Sequence, residues 1–161
     1  MATGTVAQPA YNYSKLQKEQ LGRGVVAIRE NPSDVVVSWR YLSSDPINTS
    51  FNVYRNGEKI AEVPHSTGTF YRDTYSGNEK AVYTVKSVIN GVETGKLNGN
   101  YTLPANAPSG YIDIPLDRPA EGVTPSGQKY TYSPNDASIG DVDGDGEYEI
   151  ILKWDLSLIH I

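Results

Sequence analysis

Cysteine is absent from the 161 residues, and methionine, tryptophan, phenylalanine and histidine together contribute only seven. Without cysteine there is no disulfide framework, no thiolate zinc site and no thiol nucleophile. The redox compartment is left open by the same absence. No run approaches the ~18 apolar residues that a membrane helix needs, so no membrane partner is expected. The Met1 end shows neither a basic n-region nor an apolar h-region, so no signal peptide is visible. Lysine and arginine are nowhere clustered, which removes nucleic acid from the expected partners. No Gly-x-Ser-x-Gly setting and no phosphate-cradling glycine loop occurs. With 20% charged residues, 15 Gly and 10 Pro, the chain is neither a disordered polyelectrolyte nor a collagen-like repeat. Its length allows one domain or two small ones.

What the chain does have is a local excess of acid. Lys and Arg number 14 against 19 Asp and Glu, a net charge of −5. Asp141, Asp143, Asp145, Glu147 and Glu149 account for the whole imbalance. A concentrated acidic patch holds cations, whereas a diffuse acidic surface mainly gives solubility. The run 141–149 places carboxylates at positions one, three, five and nine. Gly146 at position six permits the sharp turn, and Glu147 at position seven offers its backbone carbonyl. Hard oxygen donors at this density suit Ca²⁺. An EF-hand needs Glu at position twelve, which is Leu152 here, and helices on both flanks. The flanks instead read as strands, at 137–140 and 149–154. The loop is therefore expected at the tip of a β-hairpin, as in the calcium loops of integrin-like propeller blades. The competing reading is an acidic turn that binds nothing, but five carboxylates in nine residues repel one another without a cation.

From residue 24 to about 103 the pattern is strand and turn. Val35, Val37, Trp39 and Tyr41 alternate with Val36, Ser38, Arg40 and Leu42, a period of two. Asn56-Gly57 and Asn90-Gly91 are type I′ hairpin signals, because both residues tolerate positive φ. Roughly seven short strands predict an all-β fold with a β-sandwich, similar to a fibronectin type III domain. Val37, Trp39, Phe51, Val53, Tyr83 and Val85 are expected to point inward, with Tyr83 where such sandwiches often carry a corner tyrosine. Tyrosine supplies 12 of the 16 aromatics, so sugar stacking on this module is a secondary reading. Prolines at 104, 108, 115, 119, 125 and 134 mark 104–134 as a strap, with one short strand expected at 111–114. The polar segment 1–22 admits two helical turns at 14–21, with Ser14 as N-cap and Gly22 as C-cap. His65 lies in a loop without a visible partner. Asn12, Asn48 and Asn100 match the glycosylation pattern, which matters only in a eukaryotic secretory pathway.

Four pieces in order resemble a known family: Leu21-Gly-Arg-Gly-Val-Val-Ala-Ile28, Val37-Ser-Trp-Arg-Tyr-Leu42, Phe51-Asn-Val-Tyr-Arg-Asn-Gly57, and the acidic run 136–150 leading into Leu152-Lys-Trp-Asp155. Together they resemble the N-terminal part of bacterial rhamnogalacturonan lyases of polysaccharide lyase family eleven. The resemblance implies a small β-sandwich before an eight-bladed calcium-binding propeller that holds the active site. It implies β-elimination on rhamnogalacturonan I, the pectin backbone, with Ca²⁺ as cofactor. It also implies a monomer that is secreted, periplasmic or on the bacterial cell surface. The expected division is a polar segment (1–22), a type III-like sandwich (23–103), a proline-rich strap (104–134), a first calcium hairpin of a truncated propeller (135–155) and a tail (156–161). That tail, with His160, departs from the family pattern and resembles translated adapter read-through, so it is expected to be non-native. Catalytic residues are expected beyond residue 161, leaving this chain inactive alone. The rival reading is a calcium-dependent adhesion or carbohydrate-binding protein with a type III sandwich and an integrin-like propeller.

Overall fold

The computed structural model describes residues 21–94 and 98–158, and every regular element among them is a strand. The all-β expectation holds. The helical turns expected at 14–21 fall almost wholly outside the described residues, as do residues 159–161.

Eight strands make the first unit. Strand β1 (Val26–Asn31) pairs antiparallel with β2 (Asp34–Ser38), and β2 pairs with β5 (Phe70–Thr74). The second sheet is centred on β3 (Ser50–Arg55) and β6 (Ala81–Ile89), with β4 (Glu58–Val63) outside β3. The free edge of β6 is covered in two stretches, by β8 (Gly99–Leu103) and by the short β7 (Val92–Glu93). The single weak strand expected at 92–103 is thus two strands. The Asn-Gly turns form as the residue chemistry requires. Asn56 and Gly57 have φ of 50° and 85°, and Asn90 and Gly91 have 51° and 78°.

Period-two side chains from both sheets meet in one apolar cluster. Val35 and Val37 on β2, Phe51 and Val53 on β3, and Ala81, Tyr83 and Val85 on β6 are all buried. Trp39, just past β2, crosses Phe51 edge-on at 5.4 Å between ring centroids. All six residues expected inward are in this cluster. The Tyr83 hydroxyl donates to Asp73 Oδ2 at 2.8 Å, and Arg55 pairs with the same oxygen at 2.5 Å. The tyrosine is thus anchored by a side-chain carboxylate. Burial and that carboxylate both raise its pKa above the ordinary tyrosine value.

The strap gives up the strand expected at 111–114. It still rests on the first unit: the Asn106 amide donates to the Asn78 carbonyl at 2.9 Å, Ala107 packs against the apolar cluster, Ser109 bridges to Arg29, and the Gly110 amide donates to the Arg29 carbonyl at 2.7 Å. The second sheet unit follows, with β9 (Gly122–Val123), β10 (Lys129–Gly140) and β11 (Glu149–Leu158) in antiparallel order. This hairpin is longer at both ends than its sequence pattern. Strand β10 passes through Pro134, and its register slips between Pro134 and Ala137. A residue without an amide donor in a ladder is tolerated at such a bulge. Leu156–Leu158 pair with Tyr132–Tyr130, so the start of the tail continues the ladder.

Candidate metal site at the hairpin tip

Residues 141–148 join β10 to β11 and turn sharply, with positive φ at Gly144 (80°) and Gly146 (92°). Both glycines sit where side-chain-bearing residues are strained. The Asp side chains fold the loop around themselves. Asp141 Oδ1 accepts the Gly144 N–H at 2.8 Å, and its Oδ2 accepts that of Gly146 at 3.1 Å. Asp143 Oδ1 accepts from Asp145 N–H at 3.1 Å, and Asp145 Oδ1 from Glu147 N–H at 2.8 Å. Across the hairpin, Glu149 Oε2 accepts from Val142 N–H at 2.8 Å. These are Asx-type contacts, which short acidic side chains make readily in turns.

The result is a convergent set. Asp141, Asp143 and Glu149 each offer a carboxylate oxygen, and these three oxygens lie within 4.8 Å of one another. Oxygens bound to one Ca²⁺ at ~2.3–2.6 Å lie at most about 5 Å apart, so the set fits a single calcium ion. Of the five sequence-derived ligands, the structure brings these three together. The Asp145 carboxylate stands outside the group and caps the Glu147 amide; Glu147 is expected to offer its backbone carbonyl, and its side chain lies toward Gly22.

The loop also touches the first unit, a feature sequence reasoning did not assign. Gly22 N–H donates to the Gly146 carbonyl at 2.6 Å. Arg40 donates from Nη1 to the Gly22 carbonyl at 3.2 Å, and its guanidinium lies 4.6 Å from the Tyr148 ring centroid. Behind them Arg23, 1% exposed, makes a two-pronged pair with Asp45 at 2.6 and 3.0 Å. Arg23 also donates to the Arg40 carbonyl at 3.1 Å. The signal was present in the Leu-Gly-Arg-Gly run, whose glycines flank an arginine, but its partners are distant in sequence.

A second polar cluster lies on the outer face of β3 and β6. Glu93 accepts from Tyr54, from Asn52 Nδ2 at 2.6 Å and from Lys86 at 3.2 Å. The Tyr54 hydrogen bond, then that of Asn52, with further help from Lys86, holds the Glu93 carboxyl down at about 2. His65 is exposed in the turn between β4 and β5.

Comparison with known families decides the context of this loop. The model of the "Rhamnogalacturonan I lyases beta-sheet domain" matches residues 16–101, more than half of the chain. The chain belongs to the rhamnogalacturonan I lyases. A second model of the same lyases, "Rhamnogalacturonan lyase family 11, C-terminal domain", matches 111–160 and so includes the acidic loop. The chain is 46% identical over 143 residues to rhamnogalacturonan endolyase YesW of Bacillus subtilis (strain 168). That match takes in 88% of this chain and 22% of the relative, so the chain spans about a fifth of its curated relative's length. Among solved structures, the exotype rhamnogalacturonan lyase YesX superposes with a TM-score of 0.69 at 43% identity, over 88% of this chain and 22% of that one. The Bacillus licheniformis rhamnogalacturonan lyase gives 0.67 at 46% identity, over 88% and 23%. No helix among the described residues is long and apolar enough to cross a membrane.

Proposed function

We propose that the chain forms part of a rhamnogalacturonan lyase that cleaves the rhamnogalacturonan I backbone of pectin by β-elimination. The observation that carries this reading is the pair of lyase-family matches, one over each sheet unit. In the reaction the proton on C5 of the galacturonate leaves, a C4=C5 double bond forms, and the C4–O bond to the next sugar breaks. The C5 proton is poorly acidic beside an ionised carboxylate. The enzyme must therefore offset that negative charge and supply a base. We assign neither role to a described residue, and the base belongs to the part of the lyase outside this chain.

In this reading 23–103 is a fibronectin type III-like sandwich, 104–134 a strap and 135–155 the first calcium hairpin of a propeller, with 1–22 and 156–161 as flanking segments. Support for the propeller comes from Ile139, Ile150, Ile151 and Leu156, which are exposed on the hairpin. Apolar side chains on a small sheet suit packing against further sheets. Asp141, Asp143 and Glu149 hold Ca²⁺, with Asp145 and the Glu147 carbonyl as further donors. Bound calcium supplies positive charge that fixes the tip. The Asx contacts set its shape, and Gly146 passes that shape to the first unit. The substrate and the absence of nucleic-acid and membrane partners follow the sequence reading, as do a monomeric state and a secreted, periplasmic or cell-surface location.

The test is a graft. This chain replaces the matching 143 residues of the Bacillus subtilis endolyase, and release of unsaturated uronate from rhamnogalacturonan I is followed by ultraviolet absorbance. The grafted enzyme should form product, and the chain alone should form none. A folded graft without activity, or sustained product from the chain alone, contradicts the reading.

A further inference from the structure

The acidic loop is not an isolated hairpin tip. Gly146, the sixth residue of the run, is its one buried residue, and it is buried against Gly22. The contact leaves little room for a side chain. A Cβ on Gly22 would sit 2.7 Å from Glu147 Oε1 and 3.3 Å from the Gly146 carbonyl oxygen. The glutamate tip swings aside easily, but the backbone carbonyl does not.

Arg40 fixes Gly22 from the other side and is itself held by its neighbours. Arg40 holds the Gly22 carbonyl and covers Tyr148, so one side chain grips both the 21–24 segment and the residue next to Glu149. The Arg40 amide donates to the Arg23 carbonyl at 2.8 Å. Arg23 in turn is locked by Asp45, whose Oδ2 also accepts the Leu42 amide at 2.8 Å. A continuous path of short polar contacts thus runs from the buried Arg23–Asp45 pair to the loop backbone. Asp141 Oδ2 accepts the Gly146 N–H, while the Gly146 carbonyl accepts the Gly22 N–H. One peptide segment therefore reports to a metal-facing carboxylate on one side and to the first unit on the other.

We propose that Gly22 and Arg40 form a clamp that braces the acidic loop. Closure of the clamp and cation binding by Asp141, Asp143 and Glu149 then stabilise each other. The inference rests on the calcium reading of that loop. The physical reason is preorganisation. Three carboxylates held near one point repel, and a loop free to open relaxes that repulsion by spreading. A loop whose Gly146 and Tyr148 are pinned spreads less, so less of the binding free energy is spent on closing it. Linkage then requires the reverse effect, in which calcium tightens the clamp by the same factor. Gly22 and Arg40 are positioning residues, since neither offers a donor to the ion.

The experiment is calorimetric titration of the whole chain with calcium chloride at moderate salt, for the parent and for Gly22→Val, Arg40→Ala and Arg40→Lys. Arg72→Ala, in an exposed pair with Glu30, is the control. Intact folding of each variant is checked by its thermal midpoint without metal. Gly22→Val and Arg40→Ala should weaken calcium binding by at least about fivefold. Arg40→Lys should recover part of the loss, and Arg72→Ala should match the parent. In the parent, calcium should slow hydrogen exchange at the Gly22 amide, and Arg40→Ala should reduce that protection. Calcium binding by folded clamp variants at parental affinity, with no added Gly22 protection, overturns the clamp and leaves the calcium reading standing. A parent chain that takes up no calcium overturns both.

Discussion

Trp39 shows what a single residue contributes. It is 5% exposed, sits between the two sheets and packs edge-on against Phe51. Trp39→Ala leaves a large cavity in the shared core and should cost about 3–5 kcal/mol. Urea unfolding followed by circular dichroism measures it, and a loss under about 1 kcal/mol would place Trp39 outside the core. Glu93 is a residue whose effect depends on pH. Its folded pKa lies below its ordinary value of 4.5, at about 2. The stability it contributes is therefore complete above pH 4.5 and is lost as pH falls through about 2. Between pH 5 and pH 2 the parent's unfolding midpoint should drop further than that of Glu93→Gln. Parallel curves would show that the Tyr54–Asn52–Lys86 cluster is not formed in solution. At this scale the apolar residues were legible in the sequence, because strand alternation alone turns Val37 and Val85 to one side. The buried polar residues were not. Arg23 is neutralised by Asp45, 22 positions away, the Tyr83 hydroxyl is hydrogen-bonded to Asp73, 10 positions away, and period-two patterning carries no information on such pairs.

Among the elements, the hairpins with residue-specific turns were the most legible. Asn56 adopts φ of 50° and also accepts the Val82 amide on its side-chain oxygen at 2.8 Å. Asn56→Ala keeps the strained backbone and loses that acceptor, so it should cost roughly 1–2 kcal/mol. Chemical denaturation measures the loss, and an unchanged midpoint would mean that the turn does not hold this geometry. Elements fixed by tertiary pairing were read less well. The segment 111–114 has strand-like composition but finds no ladder partner and forms no strand. Strand β10 is the opposite case. Proline argued against a strand, yet a bulge lets the hairpin run past Pro134, because β11 offers a partner on both sides of it. The acidic loop was legible as a turn and as a donor set, since glycine position and carboxylate spacing are local. Its bracing by Gly22 and Arg40 was not, because those residues meet it only after the two units pack.

For the molecule as a whole, the charge pattern and the fold now bear on the same place. The five acidic residues that give the chain its net charge all lie at one end of one hairpin. That end is where the two sheet units touch through Gly22 and Gly146. The family matches cover both units, so the contact lies inside a lyase-family chain and not at a chance junction. The central claim is that this acidic tip is a calcium site seated against the first unit. The most direct measurement is an anomalous difference map from crystals of the chain grown with calcium chloride. The account predicts one strong peak at ~2.3–2.6 Å from carboxylate oxygens of Asp141, Asp143 and Glu149, with the Gly22–Gly146 hydrogen bond intact. Carboxylates splayed apart around no peak, in crystals that hold calcium elsewhere, would contradict it.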